Sequence, residues 1–175
     1  MAKLLERVRA IQRGEMPMPP IAKLLNMRIA EAAEGRTVMQ MPVDGRYANP
    51  IGTVHGGILC DLADAAMGTA FATTCEEEDS YATVELACHF LRPVWESMLT
   101  ATAWVVSRGK TIGLIECEVR DSANRLIAKL SSTCMVLRGE AAQGRQIKGA
   151  ASARRDGAAK RRKRGTRLAK FRRRP

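Results

Sequence analysis

The hydrophobic periodicities along the chain predict an α+β fold in which one antiparallel sheet wraps around one long central helix. Three observations carry this expectation. Residues 56–74 are apolar nearly all the way round a helix, and such a helix must be buried rather than lie on a surface. From Tyr81 onward the apolar period switches to two and holds through four strand-like stretches. Strands in runs around a single helix, without alternating βαβ units, indicate an α+β layer architecture.

The elements follow in order. Residues 2–13 read as an amphipathic helix, with Leu4, Leu5, Val8 and Ile11 at helical spacing. The prolines ending at Pro20 break it, and Ile21–Leu25 forms another turn of helix. Met27–Ala33 and Arg36–Val43 read as strands joined by a Glu34-Gly35 turn, and the polar Asp44–Pro50 as a loop. The buried helix of Gly56–Thr74 ends at the acidic turn Glu76–Ser80. In Tyr81–Phe90, strict alternation puts Val84, Leu86, Cys88 and Phe90 on one face and Thr83, Glu85 and His89 on the other. Ser97–Ser107, Thr111–Asp121 and Arg125–Leu137 complete the set of strands.

The 175 residues are 46% apolar and carry a net charge of +11. One domain of this size buries roughly two thirds of its unfolded surface, so neither disulfides nor a structural metal are needed. The charge is not spread evenly. From Gly139 to Pro175 there are 14 Lys and Arg against Glu140 and Asp156, so this stretch carries +12 and the preceding 138 residues carry −1. With only Ile147, Leu168 and Phe171 as large apolar residues, the stretch is predicted to be a disordered basic tail. The organisation is therefore a helical segment (1–19), one α+β domain (20–138) and a tail (139–175).

Cys60, Cys75, Cys88, Cys117 and Cys134 are odd in number and scattered through apolar segments. They are expected as reduced thiols packed as small hydrophobes in a cytoplasmic protein. No clustered His, Cys or Asp set suggests a metal site. The charged first 16 residues lack the apolar core of a secretory signal, and no apolar run approaches the ~20 residues of a membrane span.

The chemistry concentrates in residues 49–64. Gly56 and Gly57 stand at the start of the buried helix, where free N–H groups and the helix dipole favour developing negative charge. That is what the oxyanion of an acyl-transfer intermediate requires. Two turns along, Asp61 and Asp64 interrupt the apolar helix. A carboxylate there serves either as a base or nucleophile facing a cleft, or as a capping or ion-pairing group. Asp64 admits both readings; Asp61 fits the second. His55 reads as ordering the Gly-Gly turn by hydrogen bonding, His89 as structural and Cys60 as core. Asn49 suits either an Asx-turn or the orientation of a carbonyl.

The run from Asn49 to Asp64, followed by Gly68, resembles the hotdog-fold thioesterases, in particular the PaaI-type acyl-CoA thioesterases of the 4-hydroxybenzoyl-CoA thioesterase superfamily. The segment Phe90–Val94 (FLRPV) and the hairpin around Ser107–Lys110 resemble the same family, so the likeness spans roughly residues 20–138. It implies dimers with paired sheets, often joined into tetramers, with active sites at the dimer interface. It implies an acyl-CoA substrate whose thioester carbonyl is polarised by the Gly56 N–H with Asn49 beside it. Asp64 of the other subunit then activates water or attacks directly, and Thr83 supports that water. His55 and Gly57 shape the helix entry. Arg92, Arg108 and Lys110, with Gly109, sit on turns suited to the phosphates of CoA. No cofactor or metal is implied.

Two other classes stay open. A hydratase or dehydratase of the same fold needs a differently placed His and carboxylate pair, which this sequence lacks. A non-enzymatic acyl-CoA-binding regulator could use Lys160–Arg164 and Arg172–Arg174 on nucleic acid, with salt-dependent affinity. The plainer reading of the tail is a solvated extension.

Overall fold

A computed structural model describes residues 4–142. The helices are α1 (Leu4–Gln12), α2 (Pro20–Leu24) and α3 (Gly56–Ala72). The strands are β1 (Arg28–Ala33), β2 (Arg36–Val43), β3 (Ser80–Phe90), β4 (Ser97–Arg108), β5 (Ile112–Arg120) and β6 (Leu126–Leu137). All strand pairs are antiparallel, and the six form one sheet in the order β1-β2-β4-β5-β6-β3. The predicted elements are all present, with ends shifted by one or two residues. The basic tail predicted from Gly139 lies, apart from a short 3-10 turn at Gly139–Ala142, outside the described residues.

The sheet covers α3 because α3 has no polar face to offer water along most of its length. Leu62, Ala63, Ala66, Met67, Ala70 and Phe71 are fully buried. The alanines let strands approach closely enough for Thr37 of β2 to donate a 2.7 Å hydrogen bond to the Ala66 carbonyl. At the helix end the Thr73 hydroxyl donates to the Ala70 carbonyl and accepts the Gly35 N–H at 2.8 Å. This ties the β1–β2 turn, where Gly35 has a positive φ of 72°, to the C-terminus of α3. Helix α1 buries Leu4 and Val8 in the same core, so the N-terminal segment is part of the packed body.

Two features depart from simple sequence order. Strand β3 pairs with β6 at the far edge of the sheet instead of with β4, its successor in the chain. Helix α3 occupies the space between β2 and β3, so the chain leaves it at the opposite edge and returns through residues 91–96. That return is pinned where the Leu91 and Arg92 N–H groups donate to the Ile127 carbonyl and where the Val54 N–H donates to the Val94 carbonyl.

The second departure lies within β3. Its register against β6 slips between Thr83 and Glu85, a β-bulge that leaves Val84 54% exposed. Strict alternation places Thr83 on the face opposite Leu86 and Cys88. The extra residue reverses this, so Tyr81 and Thr83 before the bulge face α3 together with Leu86, Cys88 and Phe90 after it.

Candidate active site

The start of α3 is built by the loop before it. Asn49 organises that loop: its side-chain oxygen accepts from the Ile51 and Thr53 N–H groups, and its Nδ2 donates to the Thr53 hydroxyl at 2.9 Å. The backbone returns through the Thr53 carbonyl, which accepts the Asn49 N–H at 2.7 Å. The Asn49 amide is thus largely engaged in an Asx-type turn, with one Nδ2 proton left over. Thr53 is a site-shaping residue inside the 49–64 run, where its type alone gives no sign of that role.

His55 caps the helix. Its Nδ1 accepts the Gly57 N–H at 2.9 Å, and its own N–H is held by the Tyr47 carbonyl. The cap occupies the Gly57 donor. Among the described residues nothing accepts the Gly56 N–H, which leaves one free donor at the positive end of the helix. The Phe90 ring packs against the Cα of this glycine, and a Cβ on Gly56 would stand 2.8 Å from that ring. Only glycine fits under the ring without displacing it. Phe90 belongs to the FLRPV stretch, but its seat over Gly56 depends on the return of the chain around the helix end.

Beside Gly56 opens a cleft of about 380 Å³ lined in part by Asn49, Thr53, Leu59, Phe90 and Arg92. Arg92 is exposed and anchored through Nη1 to the Leu126 carbonyl at 2.8 Å, with its remaining donors toward solvent. Asp64 stands further along α3, half-buried, and accepts a 3.0 Å hydrogen bond from the Thr83 hydroxyl. Beyond it the Tyr81 ring packs on Gly68, 3.4 Å from the position a Cβ would take. Burial, reinforced by the nearby thiols of Cys134 and Cys75 and by Asp64, pushes the Tyr81 phenol up, so it stays neutral. Asp61 is exposed on the helix flank, and His89 faces solvent.

One chain therefore brings Asn49, His55, Gly56, Gly57 and Arg92 together, and separately pairs Asp64 with Thr83. Arg108, Gly109 and Lys110 belong to neither group. They lie by the C-terminus of α3, about 25 Å along the helix from its start. Arg108 is committed to internal contacts: it donates from Nε to the Thr74 hydroxyl at 3.0 Å, reaches the Gly109 carbonyl, and stacks 4.8 Å above the Phe71 ring. Gly109 and Lys110 are exposed. Among the described residues no cluster of three His, Cys, Asp or Glu could hold a metal ion, and no helix is long and apolar enough to cross a membrane.

Residues 51–128 match the profile of the Thioesterase superfamily. The Escherichia coli acyl-coenzyme A thioesterase PaaI is 37% identical over 110 residues, which span 61% of this chain and 75% of PaaI. The chain belongs to the thioesterase superfamily. The fold agrees: the structure of E. coli PaaI superposes with a TM-score of 0.70 at 26% identity, covering 78% of this chain and 98% of that one. A thioesterase-family protein from Silicibacter pomeroyi superposes with a TM-score of 0.69 at 29% identity, over 75% of this chain and 99% of the other. The chain is a PaaI-type hotdog-fold thioesterase, and its activity is the hydrolysis of thioesters.

Proposed function

We propose that this thioesterase hydrolyses acyl-CoA thioesters at sites shared between two protomers, each supplying half of the chemistry. The observation that carries this is the spacing on α3. The free Gly56 N–H and the Asp64 carboxylate are eight residues apart, about 12 Å of helix rise. One carbonyl and its attacking water cannot span that distance, so the two groups serve different substrates within one chain. A second protomer resolves the mismatch. The outer edge of β3 has no partner strand among the described residues, and 11 residues of open edge are a template for pairing. Two β3 strands paired about a two-fold axis would lay the Gly56 end of one chain toward Asp64 of the other.

In that site the thioester carbonyl accepts the Gly56 N–H, with the Phe90 ring forming part of the cleft wall beside it. Asp64 of the second protomer removes a proton from water as the water oxygen attacks, or attacks the carbonyl itself. The negative charge moves onto the carbonyl oxygen, where one preorganised N–H donor is worth ~2.7–4 kcal/mol. Collapse of the tetrahedral intermediate breaks the C–S bond, and the CoA thiolate leaves and takes up a proton. Thr83 holds the Asp64 carboxylate through one oxygen and leaves the other to the reaction. Arg92, on the rim of the cleft, is the cation placed for a CoA phosphate, and acyl-CoA is the substrate class that the name of E. coli PaaI carries.

The test is release of CoA thiol from a panel of aromatic, short, medium and long acyl-CoA thioesters by the purified full-length chain. Turnover of at least one, lost in Asp64→Asn with the fold intact, is the expected result. Wild-type rates in Asp64→Asn overturn the assignment.

A further inference from the structure

We propose that Cys60 and Cys88 form a redox-modification site: a thiol pair that a peroxide closes into a reversible disulfide across the seam between α3 and β3, beside Gly56. The seam has a defined register. Gly56 lies under Phe90, with 2.8 Å between the ring and the direction of a Cβ. Asp64 accepts from Thr83 at 3.0 Å, and Gly68 lies 3.4 Å from the Tyr81 ring in the same sense. Residues 56, 60, 64 and 68 recur every four positions, so they form one stripe along the helix. Cys60 falls between Gly56 and Asp64 on that stripe, and Cys88 falls between Phe90 and Thr83 on the facing side of β3. The register therefore brings both thiols to the same stretch of the seam, where the Cys60 side chain is a hydrogen-bonding neighbour of Cys88.

Their surroundings agree. Burial and the neighbouring Cys60 sulfur together push the Cys88 thiol up to about 12. Cys88 therefore holds its proton and is the S–H partner of the pair. Both are half-buried, whereas Cys75, Cys117 and Cys134 are buried in the core. The chemistry balances with hydrogen peroxide as the oxidant. The Cys60 thiolate attacks one peroxide oxygen, the O–O bond breaks, and the departing hydroxide takes a proton to give water and a sulfenic acid. The Cys88 sulfur then attacks the Cys60 sulfur, the S–O bond breaks, and a second water leaves with the Cys88 proton. Two thiols have lost two electrons, and one peroxide has gained them.

The bond has a consequence for the site, which rests on the thioesterase reading above. The Phe90 ring packs on Gly56 and forms part of the cleft wall along which substrate approaches the Gly56 N–H. A disulfide two residues from Phe90 fixes that end of β3 to the first turns of α3 and holds the ring down.

The experiment treats the reduced full-length protein with hydrogen peroxide and counts free thiols and intact mass. Of the five thiols, two are expected to disappear, with a mass loss of about 2 Da, and to return with dithiothreitol. Peptide mapping should join the Cys60 and Cys88 peptides of one chain, and Cys60→Ser and Cys88→Ser should each abolish the link. Thiols that remain free, gains of about 16 Da per oxygen without a link, or links between other cysteines overturn the proposal. Turnover is expected to fall several-fold in the oxidised wild type and recover on reduction. A bond that forms with turnover unchanged overturns the effect on activity. The thiol count reads the modification even if no acyl-CoA is hydrolysed, so the two claims fail separately.

Discussion

The Thr83 hydroxyl on β3 donates a 3.0 Å hydrogen bond to Oδ1 of Asp64 on α3. It is the contact that turns a helix carboxylate into a positioned one, because it occupies one oxygen and fixes the plane of the other. In the proposed mechanism the free oxygen handles the water or the carbonyl carbon. Asp64→Asn is expected to lower kcat by ~10²–10⁴, the usual contribution of a positioned base, with little change in melting temperature. Thr83→Val should cost about ten- to a hundredfold in kcat, as expected for a hydrogen bond to a charged group. Thr83→Ser should restore most of it. Equal rates in Val and Ser variants would remove Thr83 from the mechanism. CoA-thiol release measures both series.

The proposed division of the site between protomers predicts complementation. Gly56→Val places side-chain atoms where the Phe90 ring already sits 2.8 Å from the Cβ direction, and should disable the donor half. Asp64→Asn disables the other half. Each variant alone should be nearly inactive. Mixed and allowed to exchange subunits, they should regain activity, because half the sites of a mixed dimer contain an intact Gly56 and an intact Asp64. Mixtures that stay at the sum of the separate rates would place both groups in one chain's site.

His55 offers a stability test independent of chemistry. Its Nδ1 satisfies the Gly57 N–H, one of the donors left open at a helix start. His55→Ala should cost about 1 kcal/mol in urea unfolding, the typical worth of an N-cap, whereas His55→Asn should retain most of it. In His55→Ala the Gly57 N–H is freed beside that of Gly56, so a change in KM would accompany the loss.

Gly113 of β5 faces the centre of the core. A Cβ there would lie 2.5 Å from the Phe71 ring and 2.9 Å from the Ser107 carbonyl oxygen, which belongs to a paired strand and cannot swing away. Gly113→Ala should destabilise the fold by about 1–3 kcal/mol, the range for overpacking. Thermal or urea unfolding of the variant checks this, and wild-type stability would show the β4–β5 hairpin to be looser than its hydrogen bonds suggest.

Asp121 sets a pH dependence at the β5–β6 turn. Burial opposes its charge, but hydrogen bonds from the Arg125 and Ala123 N–H groups and the Arg125 guanidinium outweigh it and hold the carboxyl below its usual value. A lowered folded pKa means that this stabilisation is complete above the unfolded carboxylate value of about 3.9. It is lost as pH falls from there through the folded value. Asp121→Asn should therefore unfold more easily than wild type at pH 7, with the gap closing in acid below that window. A gap independent of pH would assign the effect to packing.

Much of this was present in residue order. An all-round apolar stretch at Gly56–Thr74 could only be a buried helix, and sustained period-two segments could only cover it, because each element must hide its apolar face. Glycines next to a histidine at the start of that helix marked where a free N–H would stand, since backbone donors at a helix start have no partners within the helix. The sequence by itself thus determined the layers, the core and where the candidate site's free donor would stand. Tertiary structure decided which groups meet. Period-two alternation carries no mark of a bulge, and only the slip at Val84 turns Thr83 toward Asp64. Strand order is likewise invisible in local pattern, and only the passage of α3 to the far edge leaves β3 open and swings Phe90 over Gly56. The free donor and the carboxylate are separated by the rigid rise of one helix, a distance that follows from their spacing in the sequence, whereas the contact that positions the carboxylate exists only in the folded chain.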